Sequence, residues 1–294
     1  MIRTLFLATA ICLAAPAPLL AQDGMPEDLA ERMAASRSAE EVARQLIAVQ
    51  EASGAAQQQY AGMTGGAFGD GYRGAVAFPT DQLGVWNVVL VAARGEGAEA
   101  PLVALAEYEV TQGEILGEVL HDAAEAPALT GTALQMARAK YVAPRAVIAA
   151  PGVGYCLDGE PAGEGSPHSV SYIPLVLPPD ETGAIEAYVL NGPITEGSIP
   201  LGKHYRVHFD EFGQIGEPEI VTDTCEVITW DADDPELAMS VYVTEYDEGI
   251  APSVIHTFIS SQLPMSMGVV TGDIIWPMAG GMIAPPVPAS EAGY

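Results

Sequence analysis

The apolar positions change period along the chain. Residues 1–21 place Arg3 ahead of an apolar run, Leu5 to Ala15, which Pro16 and Pro18 break before Ala21. This is the pattern of a secretory signal peptide cut near Ala21, too short for a spanning helix of about 20 apolar residues. Helical spacing follows in two pieces, Pro26 to Ala35 and Ala39 to Ala52. Ser38 with Glu41 forms a capping box for the second, and Val42, Leu46 and Val49 share its face. Gly54 to Gly74 collects seven glycines and reads as a loop or hinge.

From Val85 the period shortens to that of strands. VWNVVLVAA (85–93), LVALAEYEVT (102–111) and GEILGEVL (113–120) predict an antiparallel meander, with Gln112-Gly113 as the tight turn between the last two. Thr132 and Gln135 open a second capped helix, expected to end near Tyr141, before Pro144. Beyond Ala146 the chain reads as strands throughout, VIHTFIS (254–260) included, with short Gly, Pro, Asp and Asn turns between them. The expected class is α+β: an N-terminal helix, an antiparallel meander and a helix, followed by a β-rich antiparallel sheet or sandwich. The expected divisions are a signal peptide (1–21), a linker with a short helix (22–37), an α+β subdomain (38–145) and a β-rich part (146–290).

Charge alters this picture. The chain of 294 residues has 39 Asp and Glu against 11 Lys and Arg, a net charge of −28, and no Lys or Arg follows Arg206. An acidic surface repels phosphates, so nucleic acid and anionic membranes are excluded as expected partners. A protein or a small cationic ligand is the expectation instead. No later segment has the length of uninterrupted apolar sequence that a transmembrane helix needs. Once Cys12 leaves with the signal peptide, Cys156 and Cys225 remain, and an even pair in an oxidising compartment predicts one disulfide. The expected location is the periplasm or the secreted medium.

Catalytic signatures are sparse. There is no GxSxG elbow, no phosphate loop and no dinucleotide fingerprint. Asp158, His168 and Ser169 supply the residue types of a hydrolase triad within one loop region. Asp231, Asp233, Asp234 and Glu236 supply oxygen ligands of the kind calcium takes, although Pro235 and Glu236 depart from an EF-hand loop. No other cofactor is expected. His204 and His208 lie on an alternating segment, where four residues span about 13 Å. That is too far for one zinc ion, so both are expected on a solvated polar face.

HYRVHFDEFGQI (204–215), a cysteine about ten residues later, and VIHTFISSQLPMSMGVVTGDIIW (254–276) resemble exported proteins of Gram-negative bacteria that have no assigned activity. The resemblance implies export and a shared fold, and carries over no functional residue. The reading that follows is a non-catalytic periplasmic binding or envelope accessory protein. The alternatives are an exported hydrolase with a loop-built site, or a calcium-stabilised β module.

Overall fold

A computed structural model describes residues 26–291, apart from 96, 98–99, 123, 152, 155, 158–159 and 162–170. The signal-peptide segment lies outside the described residues. The first element, α1 (Leu29–Thr64), is one continuous helix of 36 residues, about 54 Å long. It runs through the linker, both expected helical pieces and most of the expected glycine-rich loop. Its alanine-rich sequence favours helix, and its buried face, Ala43, Leu46, Val49, Ala52 and Ala56, carries it past Gly54. It ends where Gly65 turns left-handed (φ 67°) and Gly66 N–H returns to the Ala61 carbonyl.

A four-stranded antiparallel sheet follows in the order β1 (Tyr72–Pro79), β2 (Val85–Ala93), β3 (Leu102–Thr111) and β4 (Glu114–Leu120). The meander is the expected one with an extra strand, β1, at its edge. Gln112 (φ 46°) and Gly113 (φ 79°) both take the positive φ that a two-residue hairpin requires. Apolar residues run almost unbroken along β2 because both of its faces are covered. Then α2 (Gly131–Ala149) continues through Pro144, eight residues beyond its expected end at Tyr141. Ala143 and Val147 are fully buried on either side of that proline, so packing holds the turn its missing N–H weakens.

The remaining strands are short. β5 (Cys156–Leu157) pairs with β6 (Glu160–Pro161), and residues 147–149, expected as strand with the rest of the chain beyond Ala146, complete α2. β7 (Ser171–Val176), β8 (Ile185–Gly192), β10 (His204–Phe209) and β11 (Glu219–Thr222) form a second antiparallel sheet. β9 (Ser198–Pro200) pairs with β12 (Val227–Thr229). The last sheet holds β13 (Val241–Glu245), β14 (Ser266–Thr271), β15 (Ile274–Ala279), β16 (Met282–Ile283) and β17 (Val287–Pro288).

Within that sheet β13 and β14 are parallel, joined through α3 (Val254–Ser260). The segment VIHTFIS is therefore a helix and not the expected strand. Parallel neighbours need a crossover connection, and a helix supplies it. Ser253 caps the helix reciprocally: its hydroxyl accepts the His256 amide while the His256 ring accepts the Ser253 amide.

Both long helices straddle the first two sheets. Val49, Ala52 and Ala56 of α1 join Ala75, Val88 and Leu90 of the first sheet, while Ala43 and Leu46 join Leu175, Tyr188 and Leu190 of the second. On the opposite side, Met136, Ala139, Ala143 and Val147 of α2 pack with Val76, Val89 and Val91 and with Val176, Ala187 and Val189. The edge strands β1 and β7 each meet both helices. The architecture is α+β, and no helix among the described residues is long and apolar enough to cross a membrane.

Candidate functional site: an arginine-lined cleft

A cleft of about 690 Å³ opens between α2, the β2–β3 connection and the hairpin that follows β10. This volume falls in the range that receives small organic ligands. Helical spacing puts Leu134, Arg138, Tyr141, Val142 and Arg145 of α2 along its wall, and β1 adds Arg73.

The charge of this wall stands out against the rest of the chain. Three of the other basic residues meet carboxylates, Arg32 with Asp28, Lys203 with Asp223, and Arg206 with Glu186 and Glu219, while Arg37, Arg94 and Lys140 donate to backbone carbonyls. Among the described residues, no carboxylate lies within ion-pair distance of Arg73, Arg138 or Arg145. Arg73 donates to the Tyr72 carbonyl and Arg145 to the Tyr141 carbonyl. The Arg145 guanidinium also lies 3.5 Å above the centre of the Tyr141 ring, which holds its plane and leaves its remaining N–H groups available.

The opposite wall is a rigid turn. Asp210 follows β10, and its carboxylate accepts the amides of Phe212 (2.9 Å) and Gln214 (2.8 Å), while Gly213 takes φ 78°. Asp210 thus spends its charge on the loop backbone. Phe209 is buried beneath the turn, but Phe212 is 79% exposed and Ile215 47% exposed at the lip. Among the described residues, Glu211 is the other acidic residue of the lining.

Beside the cleft, Lys140 points from α2 to the edge of β1, where its ammonium donates to the Ala75 carbonyl at 2.8 Å. Desolvation lowers its pKa to about 8.

The residues singled out from sequence fall elsewhere. Asp158, His168 and Ser169 lie outside the described residues. Asp231, Asp233, Asp234 and Glu236 are exposed on the connection between β12 and β13. There Asp231 accepts the Asp233 amide and Asp234 the Glu236 amide. No three His, Cys, Asp or Glu side chains converge on a metal position among the described residues.

His208 is exposed as expected, but His204 is fully buried and not solvated. Its Nδ1 accepts the Asn191 amide at 2.9 Å and its Nε2 faces the Pro200 carbonyl at 3.1 Å, so both ring nitrogens are engaged. Cys156 and Cys225 are joined, with Cα atoms 5.5 Å apart. The link fastens the segment after α2 to the loop between β11 and β12.

The cleft arginines were not among the sequence candidates. Their signal is Arg138 and Arg145, seven residues apart with Tyr141 between them, on one face of a helix in a chain with very few cations. No protein-family model, curated protein or solved structure matches the chain.

Proposed function

We propose that this is an exported, non-catalytic binding protein whose cleft between α2 and the β10 turn receives an anionic ligand. One observation carries the reading: Arg73, Arg138 and Arg145 line a single cleft and meet no carboxylate among the described residues, in a protein with 39 acidic residues. Unpaired guanidinium groups along a concave wall favour a carboxylate or phosphate, which they bind with charge-assisted, bidentate hydrogen bonds. The surrounding acidic surface repels anions, so the arginines give the cleft local selectivity. A surface-wide attraction for cations remains compatible with this, at other places on the molecule. The apolar run before Ala21 and the paired cysteines support export.

The test is arginine side-chain NMR of the purified protein during titration with acetate, inorganic phosphate and spermidine. The expected result is a saturable shift of the Arg73, Arg138 and Arg145 Nε–H signals with an anion, weakened in Arg138→Gln and Arg145→Gln. Anion titrations that leave all three signals unmoved, with spermidine alone binding, would remove the proposal.

A further inference from the structure

We infer that the anion this cleft takes is a long-chain carboxylate, with its head on the α2 arginines and its acyl chain along the wall formed by the β10 turn. The inference rests on the anion-binding reading and adds the apolar body of the ligand. Two features of the cleft carry it.

The first is the pairing of unlike walls. Leu134 and Val142 stand among the arginines on α2, and Ile185, Phe209 and Ile215 complete an apolar wall across from them. Leu134 to Arg145 covers about 16 Å of helix, so the apolar strip is elongated while the cations stand along one side of it. A small inorganic anion would satisfy the guanidinium groups and leave the exposed parts of Leu134, Val142, Phe212 and Ile215 wet. A carboxylate on an acyl chain meets both.

The second is the exposure of Phe212 on a turn that cannot fold it away. Asp210 holds the amides on either side of Gly213, and the Asp210 amide bonds back to the Gln214 carbonyl. Phe212 stands with Ile215 at the mouth of the cleft, where the apolar body of a ligand would cover both. Leu102, Leu134, Val142 and Ile215 give the lining branched aliphatic side chains on both walls, along which a flexible chain can lie. Arg145, stacked on Tyr141, presents a planar fork for the carboxylate.

The test is isothermal titration calorimetry of the purified protein with butanoate, monomeric dodecanoate and dodecyltrimethylammonium, alongside sedimentation with phosphatidylglycerol vesicles. Dodecanoate should bind at least about tenfold more tightly than butanoate, as expected from burying several methylene groups. Arg138→Gln and Arg145→Gln should each weaken dodecanoate about five- to tenfold, the range for losing a charge-assisted hydrogen bond at a partly open site. Phe212→Ser should weaken dodecanoate about threefold or more and leave butanoate unchanged.

Glu211→Gln should strengthen dodecanoate binding, because it removes the repelling charge on the lip. Circular dichroism checks that each variant is folded, and all four positions are on exposed or partly exposed surface. Equal affinity for butanoate and dodecanoate would overturn the acyl-chain inference and leave the anion reading standing. No binding of either carboxylate would overturn the inference, and would end the anion reading as well if inorganic phosphate also leaves the arginine signals unmoved. Equal binding of dodecyltrimethylammonium, or association with vesicles in place of monomeric dodecanoate, would also overturn the inference.

Discussion

Acidification from pH 7 to pH 5 should destabilise the protein through two buried histidines. His204 and His256 are 0% and 1% exposed. Desolvation lowers His204 to about 4 and His256 to about 3, the latter also through the nearby His204. Each starts from 6.5 in the unfolded chain. Between that value and the folded pKa, the unfolded state takes up a proton that the native state refuses, so unfolding becomes easier as pH falls. The slope is about 1.4 kcal/mol per pH unit for each histidine, and from pH 7 to pH 5 each contributes about 2 kcal/mol.

The local contacts support neutral rings. His204 accepts one amide and faces one carbonyl, and His256 caps α3 while its ring stands edge-on to Tyr246 at 4.7 Å. Urea unfolding at pH 7, 6 and 5, for the protein and for His204→Gln, reads the effect. Acidification also relieves the repulsion of a −28 charge, but that change is common to both proteins and cancels in the difference. The variant should be less stable at pH 7 and should lose about 2 kcal/mol less between pH 7 and pH 5. Identical pH slopes for the two proteins would refute the assignment of a neutral, desolvated His204.

Other expectations concern the staple, the half-buried lysine and the acidic loop. Cys156 and Cys225 are 69 residues apart, and chain-entropy arithmetic for such a loop gives about 4 kcal/mol. Cys156→Ser with Cys225→Ser should lower the urea midpoint accordingly, and an unchanged midpoint would contradict the model. Lys140 has a folded pKa of about 8 against 10.5 unfolded, so its burial penalty is complete below pH 8 and is relieved as pH rises toward 10.5. Lys140→Met should flatten that rise, worth up to about 3 kcal/mol; the stability difference between the two proteins, measured at pH 8 and pH 10, should shrink with pH. Asp231 and Asp234 already hold loop amides, so the melting temperature should be the same in millimolar calcium and in chelator. A rise with calcium would restore a metal role to that loop.

Much of the first half of the fold was legible because its signals are local. β2 and β3 coincide with their apolar runs, and Gln112-Gly113 turned the chain where its φ angles permit. The misses share one cause: tertiary packing overrode local punctuation. Gly54 and Gly62 did not break α1, and Pro144 did not end α2, because both helices are held between two sheets. At VIHTFIS the β-branched residues favour a strand, but the crossover between parallel β13 and β14, with the cap at Ser253, selects a helix. His204 looked solvated by alternation, yet it sits at the β10 terminus where the β9 connection covers it.

The cleft was harder to read because its two walls are distant in sequence. Arg138 and Arg145 lie on α2, whereas Phe209, Phe212 and Ile215 arrive some seventy residues later, at the end of β10 and in the turn that follows it. Nothing local joins them. The composition even pointed the other way, since a net charge of −28 predicts affinity for cations. A field summed over the whole surface does not describe a concavity whose lining holds three arginines against two carboxylates among the described residues. Asp210 shows how this is arranged: it stands in the lining, but its oxygen is occupied by two backbone amides that hold Phe212 at the lip. The same residue therefore stiffens the apolar wall while part of its own charge is held by the loop backbone. Replacing Asp210 with Asn would keep an acceptor for the two amides and remove a negative charge, so it should strengthen anion binding. Asp210→Ala would also release the turn, and should blunt the discrimination between dodecanoate and butanoate.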